Sequence, residues 1–210
     1  LLLLPTFALL AVFNFYPFIL AFVNSFFEYE VGGARTFIGL NNYIDYYNDP
    51  TFWLSFRNMG FLTGFMLVAA ISIPLVVARL IFALNSESWK YFYRLIFLVP
   101  IVVPGVAVQL IWQGIYSEDG LLNEFLRTIA LDGLTRGWLS HPDTALVAIA
   151  FIGFPFCSGI NILIFYAGFA SIPDSVHEAA VMDGASGLYK FFAVDLPLVL
   201  SQIKLLVVLT

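Results

Sequence analysis

Asn58-Met-Gly-Phe-Leu-Thr-Gly-Phe-Met-Leu-Val-Ala-Ala-Ile-Ser-Ile-Pro-Leu-Val-Val-Ala78 runs from Arg57 to Arg79 without one ionisable side chain. A helix needs about 20 predominantly apolar residues to cross the hydrocarbon core of a bilayer, and this stretch meets that length. Three other stretches share the property. No Asp, Glu, Lys, Arg or His occurs from Leu1 to Phe27, from Leu95 to Ser117 or from Thr144 to Pro173. The whole chain is 61% hydrophobic and 11% charged, against roughly 25% charged in a soluble domain. The fold class that follows is all-α integral membrane, a polytopic helical bundle. Spans are expected at about 1–27, 58–80, 94–117 and 144–170, with the start of a fifth at 197.

The ends carry their own expectation. The chain opens Leu1-Leu-Leu-Leu-Pro5 with neither Met nor a basic leader, and a signal peptide has a basic n-region and a shorter apolar core. The first stretch therefore reads as a transmembrane helix. From Leu196 to Thr210 the chain turns apolar again, interrupted by Lys204, and stops before it could cross a bilayer. The expectation is a fragment truncated at both ends, with four full spans and the opening of a fifth.

Connections between the spans alternate in size. Residues 28–57 and 118–143 are long and polar, whereas 79–94 is short and carries Arg79, Lys90 and Arg94. Basic residues concentrated in short loops mark the cytoplasmic side, which places that turn inside and the segment after the fourth span inside too. Pro17, Pro74, Pro100, Pro104 and Pro155 fall within or beside the apolar stretches, where each removes a backbone donor. Gly105, Gly114, Gly153, Gly159 and Gly168 leave room for close helix approach. Cys157 has no partner for a disulfide and reads as a small packing residue. Gln109, Trp112 and Gln113 recur at spacings of three and four, which share one helical face. With Asn161 they are candidates for a hydrophilic solute pathway, since amides and an aromatic ring suit a hydroxyl-rich solute. The alternative for such uncharged groups is a hydrogen bond to a neighbouring helix.

After the fourth span the chain reads Ser171-Ile-Pro-Asp-Ser-Val-His-Glu-Ala-Ala-Val-Met-Asp-Gly184. Ser171 is a candidate cap, Pro173 suits a first turn, and Asp174 adds a carboxylate near the helix start. Gly184 is suited to end that helix. A second short amphipathic piece covers about 187–193. Ala179 and Ala180 present a low surface that lets a partner approach closely, Glu178 and Asp183 offer hydrogen-bond acceptors, and His177 reads as a surface residue beside them.

In this segment Glu178-Ala179-Ala180, three residues, Gly184, nine residues, and Val194-Asp195-Leu196-Pro197 follow in order. The spacing resembles the EAA signature of binding-protein-dependent ABC importer permeases: EAA, three residues, Gly, nine residues, Ile-x-Leu-Pro. Only the Ile position departs, by a Val. Phe37-Ile-Gly-Leu-Asn-Asn-Tyr43, Tyr93-Arg-Leu-Ile-Phe-Leu-Val-Pro100 and Tyr166-Ala-Gly-Phe-Ala-Ser-Ile-Pro173 are similar to the maltose- and glycerol-phosphate-type permeases. Ser201 stands where many such relatives have Pro.

The resemblance implies a type I ABC importer transmembrane domain over 1–210. Its cytoplasmic coupling loop, 171–197, would dock on an ATPase through Glu178, Ala179, Ala180, Asp183, Gly184, Leu196 and Pro197. It implies a multi-pass permease subunit in the bacterial plasma (inner) membrane that imports a sugar or related solute. The partners implied are cytoplasmic ATP-binding subunits, a second permease forming a hetero pair, an extracytoplasmic solute-binding protein and membrane lipids. It implies no enzyme activity in this chain, with ATP and Mg on the partner ATPase, and the chain contains no phosphate-loop motif.

Other classes fit less well. An intramembrane enzyme would need catalytic groups at membrane depth, but His141 and His177 both fall in loops and no metal-ligand pattern occurs. An ion-coupled secondary transporter usually keeps ionisable residues inside the membrane, and the four spans hold none. No basic patch supports nucleic-acid binding.

Overall fold

A computed structural model describes residues 3–29, 33 and 35–210, so Leu1 and Leu2 of the first expected span lie outside the described residues. The chain forms two units, 1–59 and 60–210.

In the first unit α1, Leu4–Asn24, contains an 18-residue stretch with a mean hydropathy of 2.0. It widens into a π turn at Ala11–Phe15, next to Pro17, whose missing N–H removes one rung of the ladder. Strands β1, Phe27–Tyr29, and β2, Arg35–Phe37, form an antiparallel pair with Phe27 opposite Phe37 and Tyr29 opposite Arg35. The Arg35 guanidinium lies 3.8 Å from the centre of the Phe27 ring, a cation–π contact. Helix α2, Asn41–Asn48, follows. Asn42 Nδ2 donates to the carbonyls of Ser25, at 2.8 Å, and Phe27, at 3.2 Å, tying α2 back to the end of α1.

Helix α3, Pro50–Phe82, has 33 residues, and an 18-residue stretch within it has a mean hydropathy of 2.4. Asp49 Oδ1 accepts from the Thr51 N–H at 2.8 Å, and Pro50 fills the first turn where no N–H is needed. The helix therefore begins well before the span expected at 58–80. At 1.5 Å per residue its length is roughly 50 Å, more than the hydrocarbon core requires.

The remaining spans are broken. Helix α4, Glu87–Leu98, passes through a 3-10 turn at Val99–Val102 into α5, Gly105–Ile115, with an 88° bend. Pro100 and Pro104 explain the break: neither donates a backbone N–H, and Val103, before Pro104, leaves the α region for an extended conformation. Residues 118–141 hold the short helix α6, Leu121–Thr128. The stretch expected as one span over 144–170 is two helices, α7, Pro142–Ala150, and α8, Gly159–Ala170. Between them Gly153 at φ +93° and Phe156 at φ +60° leave the helical region on either side of Pro155.

Helix α9, Asp174–Met182, turns away from α8 by 70°. Then come α10, Gly187–Leu198, with a π turn at Phe191–Asp195 beside Pro197, and α11, Leu200–Leu209, bent by 62°. Among the described residues, two helices are thus long and apolar enough to cross a membrane, or up to five where each bent pair counts as one span.

The core of the second unit joins Leu75, Ala78 and Ile81 of α3 to Ile162, Phe165 and Phe169 of α8 and to Val199 and Leu206. Between helices in lipid the drive is packing rather than escape from water, and small residues serve it. A Cβ on Gly159 would run into the Phe97 carbonyl, and one on Gly168 would come within 2.8 Å of the Gln202 side chain. At Gly105, Gly114 and Gly153 the same test meets open space.

Candidate functional site

The segment carrying the EAA spacing forms a short helix hung between two turns. Ser171 is still helical, and its hydroxyl donates to the Gly168 carbonyl at 2.7 Å. It therefore closes α8 instead of capping α9, whose N-cap is Pro173 in extended conformation. At the other end Ala185 N–H donates to the Ala180 carbonyl at 2.8 Å and Gly184 N–H to the Val181 carbonyl at 3.0 Å. These two bonds are the Schellman pattern, which needs a left-handed residue at its centre. Gly184 supplies it with φ +76°, and Ala185 is buried behind it.

The two faces of α9 differ. Val176, His177 and Ala180, at spacings of three and four, turn inward. Glu178, Ala179, Val181 and Met182 are exposed, Met182 at 86%. Asp183, Gly184 and Pro197 are also exposed, and Leu196 is half-buried. Of the two alanines expected to meet a partner, Ala179 is open and Ala180, 7% exposed, packs against the protein itself. His177, read as a surface residue, is a correction. Its imidazole packs 6.1 Å from the Phe82 ring, with the side chain 18% exposed.

Behind α9 lies Asp195, 1% exposed. Its Oδ2 accepts from Arg79 Nε at 2.9 Å, and its Oδ1 stands 3.8 Å from His177 Nδ1. Neither Oδ1 nor either ring nitrogen of His177 has a hydrogen-bond partner among the described residues. The basic turn gathers at this end as well. Lys90 Nζ lies 5.7 Å from the centre of the Phe82 ring, and the Arg94 guanidinium 4.5 Å from that of Tyr166. Residues 79–94 and 171–197 therefore occupy one end of the second unit.

The candidate pathway residues do not converge. Gln109 and Gln113 are exposed on α5. Trp112 borders two clefts, one of about 420 Å³ shared with Tyr116, Trp138, Phe151 and Phe154, the other of about 690 Å³ reaching Phe97 and Ser158. Asn161 is engaged elsewhere, donating from Nδ2 to the Ala70 carbonyl at 3.0 Å. Cys157 is partly buried and lines the second cleft.

At the far end of α5, Asn123 organises the loop that sequence reasoning left unstructured. It is 1% exposed. Its Nδ2 contacts the carbonyls of Ser117, Glu118 and Arg136 at 2.9–3.2 Å. Its Oδ1 accepts from Trp138 Nε1 at 2.8 Å and from the Arg136 N–H at 3.3 Å. The one signal in the sequence is an amide on the buried side of an amphipathic helix.

Residues 70–210 match the family model described as "Binding-protein-dependent transport system inner membrane component". Among curated relatives, the "Probable ABC transporter permease protein YurN" of Bacillus subtilis (strain 168) is 32% identical over 78% of this chain and 56% of its own. The "Lactose transport system permease protein LacF" of Rhizobium radiobacter is 29% identical over 92% of this chain and 64% of its own. The "Sulfoquinovosyl glycerol transport system permease protein SmoG" of Agrobacterium fabrum (strain C58 / ATCC 33970) is 32% identical over 94% and 64%. The chain thus spans 56–64% of the length of these relatives. A crystal structure of a bacterial ABC transporter that imports the acidic polysaccharide alginate matches 99% of this chain and 70% of its own. Its TM-score is 0.80 at 21% identity, a likeness of fold.

Proposed function

The chain belongs to the family of binding-protein-dependent transport system inner membrane components, and from that premise we propose that it is part of the permease subunit of an ATP-driven importer. Its helices contribute to the translocation pathway, and α9 is the coupling helix that receives the movement of a cytoplasmic ATPase. The chain itself performs no hydrolysis: ATP and Mg act on the ATPase subunits. A second permease subunit, forming a hetero pair, and an extracytoplasmic solute-binding protein complete the transporter in the bacterial inner membrane.

One observation supports the coupling role above the rest. The EAA segment is a short helix with Glu178 and Ala179 exposed, its end set by Gly184, at the end of the unit where Arg79, Lys90 and Arg94 gather. An excess of basic residues near short loops is the mark of the cytoplasmic side, which is where an ATPase would meet it.

The solute class rests on relatives whose names specify lactose and sulfoquinovosyl glycerol, and a carbohydrate is the reading they favour. Trp112 and its aromatic neighbours suit the apolar faces of a sugar ring, with Gln109 and Gln113 on the same helix available to hydroxyls. Asn161 is left out of this pathway, because its amide is already bonded to Ala70.

The test is a cross-link from Ala179→Cys, in a chain whose Cys157 is replaced by Ser, to the ATPase subunit in membranes of cells expressing the whole transporter. A cross-link whose yield changes with ATP is expected. A correctly inserted permease that fails to cross-link, with the ATPase present, would remove the ATP-driven reading. Position 180 is unsuited, since Ala180 is buried.

A further inference from the structure

Asp195 is the one fully buried charged side chain among the described residues. Its two oxygens face different elements: Oδ2 holds Arg79, in the last turn of α3, and Oδ1 faces His177 on α9. The carboxylate itself belongs to the π turn of α10. One group therefore joins the consecutive helices α9 and α10 to the end of α3, which lies 116 residues earlier in the chain.

We propose that Asp195 is the joint of the coupling step, a positioning residue that makes α9, the end of α3 and α10 move as one body. This rests on the reading of α9 as the helix that meets the ATPase. The argument begins with the other contacts of α9. Its inner face is Val176, His177 and Ala180, and apolar contacts are non-directional, so those alone would let a short helix slide when it is pushed. A buried carboxylate behaves differently. Leaving it unpaired is costly, so its partners are held in one geometry, and fixing a register is the best-attested use of a buried ion pair.

The distances leave α9 little play against the carboxylate. Arg79 Nε is already within hydrogen-bond range of Oδ2, whereas His177 Nδ1 is 3.8 Å from Oδ1, just beyond it. A displacement of α9 by about 1 Å toward α10 closes that gap, a step on the scale of helix shifts at switching interfaces. Of the charged groups nearby, Lys90 is engaged with Glu87 at 2.7 Å and packs over Phe82, so it does not compete for the carboxylate.

The experiment uses the complete permease with its ATPase subunits in lipid nanodiscs, with Cys157→Ser and spin labels at Ser175→Cys on α9 and Leu80→Cys on α3. Both positions are exposed. With Asp195 intact, the distance between labels is expected to be narrowly distributed and to shift by no more than about 1–2 Å when ATP is trapped. Asp195→Asn, which keeps the size of the side chain, should broaden the distribution and make it respond to ATP. Asp195→Glu should restore the narrow form.

If Asp195→Asn does not assemble, Arg79→Gln breaks the same pair from its partly exposed side and is read in the same way. A variant distribution as narrow and as insensitive to ATP as the parent would overturn the joint. Failure of the underlying reading looks different: the unmutated protein would show no ATP-dependent cross-link from position 179.

Discussion

Asn161 replaces the hydrogen-bond donor that Pro74 removes. In a continuous helix the N–H of residue 74 would donate to the carbonyl of Ala70, but proline has none. Asn161 Nδ2 of α8 reaches across and donates to that same carbonyl at 3.0 Å. This repair accounts for α3 continuing past Pro74 to Phe82, while the prolines of the next span, with no such side-chain donor among the described residues, coincide with an 88° bend. It also locks α3 to α8 at the level where Ala69 and Pro74 are buried.

The repair makes a double-mutant prediction. Asn161→Ala strands a part-buried carbonyl and should cost about 1 kcal/mol or more. Pro74→Ala supplies a backbone N–H for it, so the double variant should recover most of that loss. Thermal unfolding of the purified chain in detergent checks this, as a melting temperature lowered in Asn161→Ala and raised again in the pair. Additive losses would mean that the amide does something other than satisfy Ala70.

Gly184 gives a second prediction, because its environment separates backbone from surface effects. A Cβ there meets nothing within 4 Å, so the cost of a side chain is the left-handed φ alone. That cost is about 1–2 kcal/mol for ordinary residues and less for Asn. Gly184→Asn should therefore transport at close to the parent rate, with Gly184→Ala and Gly184→Arg impaired to a similar degree. Uptake of the labelled solute by the proposed transporter measures the series. An Arg variant far worse than the Ala variant would show that the partner needs bare backbone at this point.

Glu178 is exposed and has no described hydrogen-bond partner within the chain. Surface substitutions of this kind usually change stability by less than about 0.5 kcal/mol. Glu178→Lys should thus insert and accumulate normally while abolishing uptake. Membrane content and transport are measured on the same cells. Normal transport with normal ATPase coupling would mean that this carboxylate is not part of the docking surface.

Much of this was legible before the fold. The charge-free stretches at 1–27, 58–78 and 95–117 show where apolar helices lie, because lipid tolerates little else. The EAA spacing marks α9 and its terminating glycine. The effect of each proline was not legible, since it depends on whether a distant group repairs the lost bond. Asn161 does so for Pro74, and nothing in the order of residues announces that pairing. His177 was misread for a related reason. It lies against Phe82 and faces Asp195, whose partner Arg79 is 116 residues away in the chain. Gln109, Trp112 and Gln113 share a helix as their spacing implied, but spacing says nothing of what the helix faces.

Asn123 carries the last prediction, for the loop at the opposite end of α5. Both ends of its amide are used inside the loop, donating to backbone carbonyls and accepting from Trp138 and Arg136. Asn123→Asp keeps the acceptors and turns the donating end into a charge aimed at carbonyl oxygens. Asn123→Ala removes everything, stranding several buried groups at about 1–3 kcal/mol each. Both variants should open residues 117–140 without unfolding the apolar helices, whose core lies elsewhere. Trypsin reads this directly, because Arg127 and Arg136 flank the contact. Cleavage at those two sites should accelerate at least about tenfold, the equivalent of 1.4 kcal/mol in a local opening equilibrium. Trp138→Phe loses one hydrogen bond and should fall between the parent and Asn123→Ala. Unchanged cleavage in Asn123→Ala would mean that packing around Tyr116 and Trp138 holds the loop by itself.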